Sequence, residues 1–149
     1  MSVTSAMPSR GSDPDLLVDT SAAVALVVGD HEFHEATLEA LNGRTLGLCG
    51  HAAFETFSVL TRLPPPARRS PSVIVQVLAA NFPESRFLSA AGAAALFARL
   101  SEGEFAGGSV YDALVGAAAA EHDVALATWD RRALDTYRAL GVDVHLLAR

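Results

Sequence analysis

"LLVDTSAAVALVVG", residues 16–29, decides how this chain is read. With Asp15 in front, "DLLVD" (15–19) is a short apolar run of the buried-strand type, and 21–28 has the make-up of an apolar helix. Asp19 stands at the joint. A carboxylate is costly to bury unless hydrogen-bond donors or a cation meet it. A helix N-terminus, an arginine or a metal ion would serve. Asp, Thr and Ser all cap helices, and "DTS" (19–21) offers three caps where one is needed. Asp19 is either an Asx turn or the cap itself, or Thr20 or Ser21 caps and leaves Asp19 free for chemistry.

Outward from this stretch the chain alternates short apolar runs with helical patterns. Strands are predicted at 15–19, 45–50, weakly at "RFLS" (86–89), at "VALATWD" (124–130) and at "VDVHLL" (142–147). Helices are predicted at 21–28, 31–42, 51–62, 71–80, 90–101, 110–121 and 131–140, with Gly43, Gly103 and Gly141 at their C-terminal ends. Such alternation predicts an α/β fold, a parallel sheet of four to five strands with helices on both faces. "LPPPARRSP" (63–71) is a break between helices rather than a domain linker.

The bulk numbers fit one domain. Of 149 residues half are apolar and 19 % charged, a globular composition. The leading "MSVTSAMPSRGSDP" (1–14) lacks the apolar core of a signal peptide and reads as a disordered lead-in to a domain at 15–149. No apolar run is long enough to span a membrane. The single Cys49 cannot form an internal disulfide, which suits a reducing cytoplasm. All 11 basic residues are Arg, so the lysine of a P-loop or of a receiver domain is missing. The net charge of -6 argues against a broadly basic nucleic-acid surface, but not against a local arginine patch or a metal-dependent nuclease.

Open parallel sheets bind ligands at the carboxyl ends of their strands, near a topological switch point. Asp19 ends the first predicted strand and Asp130 the fourth. Glu55 and Asp112 lie near the starts of helices. Glu55 shares a helical stripe with His51, Ser58 and Arg62, which is either a solvated face or the lining of a cleft. Ser109 followed by Asp112 has the spacing of a capping box, although Asp reaches back less well than Glu. Gly116 and Ala119 on the same helix would let it approach its neighbours and draw Asp112 inward. Asp130 could simply cap the next helix, and Thr128, two residues earlier, points to the same side. Four acids gathered in one cleft would repel one another, and hard divalent cations relieve that. Bound beside a phosphodiester, such ions favour hydrolysis. The residues thus point to metal-assisted phosphodiester cleavage.

The residues carry a resemblance. "LLVDTSA", the acid in "FETFSVLTRLPPP", and "VYDALVGAAAAEHDVALATWDRRAL" resemble the PIN-domain ribonucleases, most closely the VapC toxins of toxin–antitoxin pairs, from about residue 15 onward. The resemblance implies a three-layer α/β/α sandwich and an endoribonuclease that inhibits translation. Asp19, Glu55, Asp112 and Asp130 match the family's acidic quartet. Asp19 and Asp112 match its usual Mg²⁺ ligands, Mn²⁺ being able to substitute. Glu55 and Asp130 match acids that complete the pocket or help hold a second ion, and Ser21 and Thr128 match supporting polar residues. The implied substrate is tRNA or rRNA, cut in single strands or loops to leave 5′-phosphate and 3′-hydroxyl ends. The implied partners are a second copy of the chain and a VapB-type antitoxin, which can push an arginine into the acidic pocket. The lead-in is longer than the family usually carries, which makes Met7 or an unmarked codon a candidate start.

Other residues weigh less. Arg131 and Arg132 could meet RNA phosphate beside the acids or lie on a helix surface. Arg62 could reach towards the acids, and Arg68 and Arg69 could guide RNA or contact the antitoxin. "HEFH" (31–34) is weak Zn²⁺ spacing. Gly107 and Gly108 read as a turn, Cys49 as a small buried hydrophobe and Trp129 as either a contact or packing. The competing reading is a non-cleaving RNA- or protein-binding module on the same fold. A dehalogenase-type phosphatase would need a second Asp where Ser21 stands.

Overall fold

Four runs of three residues pair into one parallel sheet in the computed structural model, which describes residues 13–149. They are β1 (Leu16–Val18), β2 (Leu46–Leu48), β3 (Leu126–Thr128) and β4 (Val144–Leu146), in the spatial order β2-β1-β3-β4. Leu16 is in register with Leu46, Leu17 with Leu126, and Leu126 with Val144. The chain winds outward from β1 to β2 and then, on the other side, from β3 to β4. The switch point therefore lies between β1 and β3, where the strands' carboxyl ends leave a crevice.

Seven α-helices flank the sheet: α1 (Thr20–Val27), α2 (His34–Leu41), α3 (Ala52–Thr61), α4 (Pro71–Asn81), α5 (Ala90–Arg99), α6 (Ser109–His122) and α7 (Leu134–Ala139). The two-residue period of a strand sorts the core into two halves. Leu16, Val18, Leu46, Leu48 and Ala127 pack with residues of α1 to α4. Leu17 and Leu126 face the other way, onto Val115, Ala118 and Ala119 of α6 and Tyr137 of α7. The result is the predicted α/β/α sandwich. Small residues set the spacing: a Cβ on Gly116 of α6 would come within 2.9 Å of Leu140 Cδ1 and 3.1 Å of Tyr137 Cδ1. The expected helix ends hold, with Gly43, Gly103 and Gly141 at φ of 76°, 80° and 78°.

Two expectations change, and a third falls largely outside the described residues. The strand predicted at 86–89 is reduced to a single parallel bridge between Cys49 and Arg86. Glu84 and Arg86 do donate backbone N–H groups to Leu46 O and Leu48 O, but Leu48 N–H is taken by the Ser85 hydroxyl at 2.9 Å, so the ladder is interrupted. Phe87 then turns its ring outward. The helix predicted at 131–140 opens as a 3₁₀ turn over Arg131–Ala133 before α7 begins. Of the lead-in expected at 1–14, residues 1–12 lie outside the described residues, and Pro14 is already buried.

The remaining predictions find plain roles. His31 Nδ1 accepts from Phe33 N–H and His34 Nδ1 bonds to Ala25 O, so "HEFH" builds the turn into α2. Arg68 and Arg69 donate to Leu63 O and Pro66 O and brace their own loop. Cys49 is fully buried with its thiol on Val115 O. Trp129 is packing: its indole stacks on Phe33 at 4.3 Å and donates to the Thr37 hydroxyl. Among the described residues no helix is long and apolar enough to cross a membrane.

Candidate active site

Asp19 is the N-cap of α1, the one of the two readings that uses it structurally. It is 4 % exposed, and α1 needs its first free N–H groups met where no water reaches. A carboxylate does that and still has lone pairs to spare. Oδ1 accepts from Ala22 N–H at 3.2 Å and from the Ser21 hydroxyl at 2.6 Å, and Oδ2 accepts from the Tyr137 hydroxyl at 2.8 Å. Burial pushes its pKa above the usual carboxylate range, while the bonds from Ser21, Thr128, Tyr137 and Ala22 pull against that. Capping and chemistry are therefore compatible at this residue.

Ser21 and Thr128 knit the two central strands together at the crevice. Trp129 N–H donates to Ser21 Oγ at 2.9 Å, Ser21 Oγ lies 3.3 Å from Thr128 Oγ1, and Asp130 N–H donates to Thr128 Oγ1 at 2.9 Å. Asp130 then caps the 3₁₀ turn by accepting from Arg132 N–H at 2.9 Å, and it pairs with Arg132 Nε at 3.2 Å. On α3, Glu55 Oε1 accepts from the Thr20 hydroxyl at 3.4 Å, whereas Ser58 and Arg62 of its stripe face solvent.

Asp112 is half-buried in the first turn of α6. The capping box does not form: Ser109 is itself helical, and its hydroxyl donates to Ala106 O at 2.8 Å. Burial first, then the charges of Asp130, Asp19 and Glu55, push the Asp112 pKa up to about 6, and Arg132 pulls it back. The other three acids thus all act electrostatically on Asp112. Arg62 stands apart. It ends α3 about two turns beyond Glu55 and donates to Ser58 O of its own helix. Arg131 is exposed, and Arg132 is the cation nearest the acids.

Tyr137 escaped the sequence reading. It is 1 % exposed, yet its hydroxyl meets Asp19 across 118 residues of chain. Its place four residues after buried Ala133 puts it on the core face of α7, where a tyrosine reads as packing. What makes it polar machinery is the buried acid opposite, which sequence spacing does not reveal.

The donor set fits a hard divalent cation: the charges of Asp130, Asp19 and Glu55 raise the proton affinity of Asp112, and one arginine lies nearby. Among the described residues no three His, Cys, Asp or Glu side chains close into a ready-made cage. Mg²⁺ does not require one, because it is held by one or two carboxylates and keeps several waters.

Comparison with known proteins agrees with this fold. The PIN-domain profile matches residues 16–139. Ribonuclease VapC27 of Mycobacterium tuberculosis is 46 % identical over 135 residues, covering 91 % of this chain and 98 % of the relative. The crystal structure of M. tuberculosis VapC20, a sarcin-ricin loop cleaving toxin, superposes with a TM-score of 0.62 at 20 % identity, over 87 % of this chain and 98 % of that one. The structure of VapBC2 from Rickettsia felis, bound to a promoter DNA fragment, gives 0.62 at 14 % identity, over 89 % and 98 %. With a strand-end aspartate at the switch point and three more acids acting on one crevice, the chain belongs to the PIN-domain family, among the VapC ribonucleases.

Proposed function

We propose that this protein is a Mg²⁺-dependent endoribonuclease toxin, Mn²⁺ being able to substitute, that cuts tRNA or rRNA in the cytoplasm and so inhibits translation. The observation that carries the reading is the convergence of Asp19, Glu55, Asp112 and Asp130 on the carboxyl ends of β1 and β3. Asp19 and Asp112 would hold the ion, with Glu55 and Asp130 completing the pocket. When bound, the ion neutralises the acids and stabilises the charge that develops on the cleaved phosphodiester. Ser21 and Tyr137 hold the Asp19 carboxylate in one orientation. Of the acids, one not committed to the ion would take the proton of the attacking water. Arg131 and Arg132 lie where RNA phosphate would approach.

A VapB-type antitoxin is the proposed neutralising partner, which the resemblance to toxin–antitoxin proteins supports. A homodimer is the proposed assembly. It is supported by the exposed Phe54, Val75 and Phe87 around a groove of about 500 Å³, an apolar patch of the sort interfaces use. The test is incubation of pure protein with total tRNA and rRNA, with Mg²⁺, Mn²⁺ or EDTA, beside Asp112→Asn. A few discrete cuts that need metal and vanish in the variant are expected. Metal binding without any cleavage would instead favour a non-cleaving module.

A further inference from the structure

Resting on the ribonuclease reading above, we propose that the stacked pair His51 and Tyr111 is a nucleobase-binding subsite, holding an unpaired nucleotide of the RNA beside the acids. The two rings lie 5.3 Å apart at 25°, one from the residue before α3 and one from the first turn of α6. Both belong to segments that carry site acids. Glu55 follows His51 by one helical turn on the same face, and Asp112 follows Tyr111 directly. A base stacked on this pair would sit at the starts of the two helices that carry Glu55 and Asp112.

The pair has no evident structural employment. Tyr111 is 52 % exposed, and among the described residues neither its hydroxyl nor the His51 ring makes a hydrogen bond to protein. The other aromatic stack differs on each count. There Trp129 is tied to Thr37, and the Arg149 guanidinium covers Phe33 at 4.8 Å. Tyr137, the second tyrosine, is buried and spends its hydroxyl on Asp19.

Charge supplies the independent argument. A protein of net charge -6 with four carboxylates at its site does not attract a polyanion by its overall field. Arg131 and Arg132 can hold phosphate locally, but the remaining affinity has to come from contacts indifferent to charge. Base stacking on an exposed aromatic is such a contact and tolerates any base. It also requires a base splayed out of a duplex. The subsite would thus select unpaired nucleotides for cleavage.

The test is binding in EDTA, where cleavage is off, read by fluorescence anisotropy. The probes are a labelled oligouridylate and an abasic ribose-phosphate chain of equal length, each titrated over a range of KCl. Wild type should bind the oligouridylate more tightly than the abasic chain. Tyr111→Leu should lose roughly five- to a hundredfold on the oligouridylate and nothing on the abasic chain. Its salt slope should stay as in wild type, because no phosphate contact is lost. Tyr111→Phe should retain wild-type binding. Arg132→Ala should show the opposite pattern, weakening both probes and flattening the slope. Unchanged binding in Tyr111→Leu, or equal loss on both probes, overturns the subsite. So does a change of sedimentation in that variant, which would make the pair a contact with a second copy. Wild type that cleaves RNA while Tyr111→Leu binds normally defeats the subsite alone. Wild type that neither binds nor cleaves any RNA defeats the ribonuclease reading with it.

Discussion

Asp19 does two jobs with one carboxylate, and the residues around it make that possible. The Ser21 hydroxyl accepts from Trp129 N–H, which leaves its own proton for Asp19. The Tyr137 hydroxyl has no water to turn to and donates to the other oxygen. Tyr137→Phe removes that donor and leaves the ring in place. It should cost about 1.5–3 kcal/mol, the usual effect of losing a hydrogen bond to a charged group. The melting temperature should then fall by roughly 3–12 °C, with weaker Mn²⁺ binding by calorimetry. Asp19→Asn and Asp112→Asn should abolish cleavage while circular dichroism stays native. Asp112 also sets a pH dependence. Its folded pKa of about 6 lies above the ordinary carboxylate value of 3.8, so between those values the folded protein holds more protons than the unfolded. Stability of the metal-free protein therefore falls as pH rises through that window. Asp112→Asn should flatten this decline in melts taken from pH 4 to pH 7. Metal must displace the same proton, so Mn²⁺ affinity should rise through pH 6.

At the level of elements, close approach governs. Gly47 lies in the middle of β2, and a Cβ there would fall inside the contact distance of Glu84 O and Ser85 N, both backbone atoms that cannot rotate away. Gly47→Ala should therefore detach the segment 83–86 from β2 and cost about 3 kcal/mol or more, measured by denaturant unfolding. The helix-start chemistry was only partly legible. The sequence reading looked for a capping box at Ser109 and Asp112, whereas the structure assembles one between helices. Ser89 caps α5 by accepting from Gly92 N–H, and Glu121 of α6 accepts from both the Ser89 N–H and its hydroxyl. Spacing along a chain cannot reveal a partner 32 residues away. The same limit hid Tyr137. The four acids were legible because strand ends and helix starts are local events that punctuation residues mark. The weak strand at 86–89 was misjudged because a serine side chain, not a backbone carbonyl, takes Leu48 N–H.

Over the whole molecule, electrostatics and topology act together. A negative chain gathers its acids at one switch point and has Arg132 as the nearest compensating charge, so the metal-free protein carries unrelieved repulsion. Mn²⁺ titrated into EDTA-treated protein should raise the melting temperature in a concentration-dependent way, as any ligand of the native state does. Asp112→Asn should blunt that rise. The apolar groove beside Phe54 and Phe87 makes a separate prediction: Phe87→Asp should shift the protein towards monomer in sedimentation without changing its secondary structure. Topology adds a consequence for synthesis. β1 pairs with β3, and Asp19 meets Tyr137 only across 118 residues. Contacts so distant in sequence are made late in folding. A nascent chain emerging from the ribosome therefore carries Asp19 and Glu55 long before Asp130 and Tyr137 arrive to complete the crevice. The site therefore stays incomplete until the chain is nearly finished.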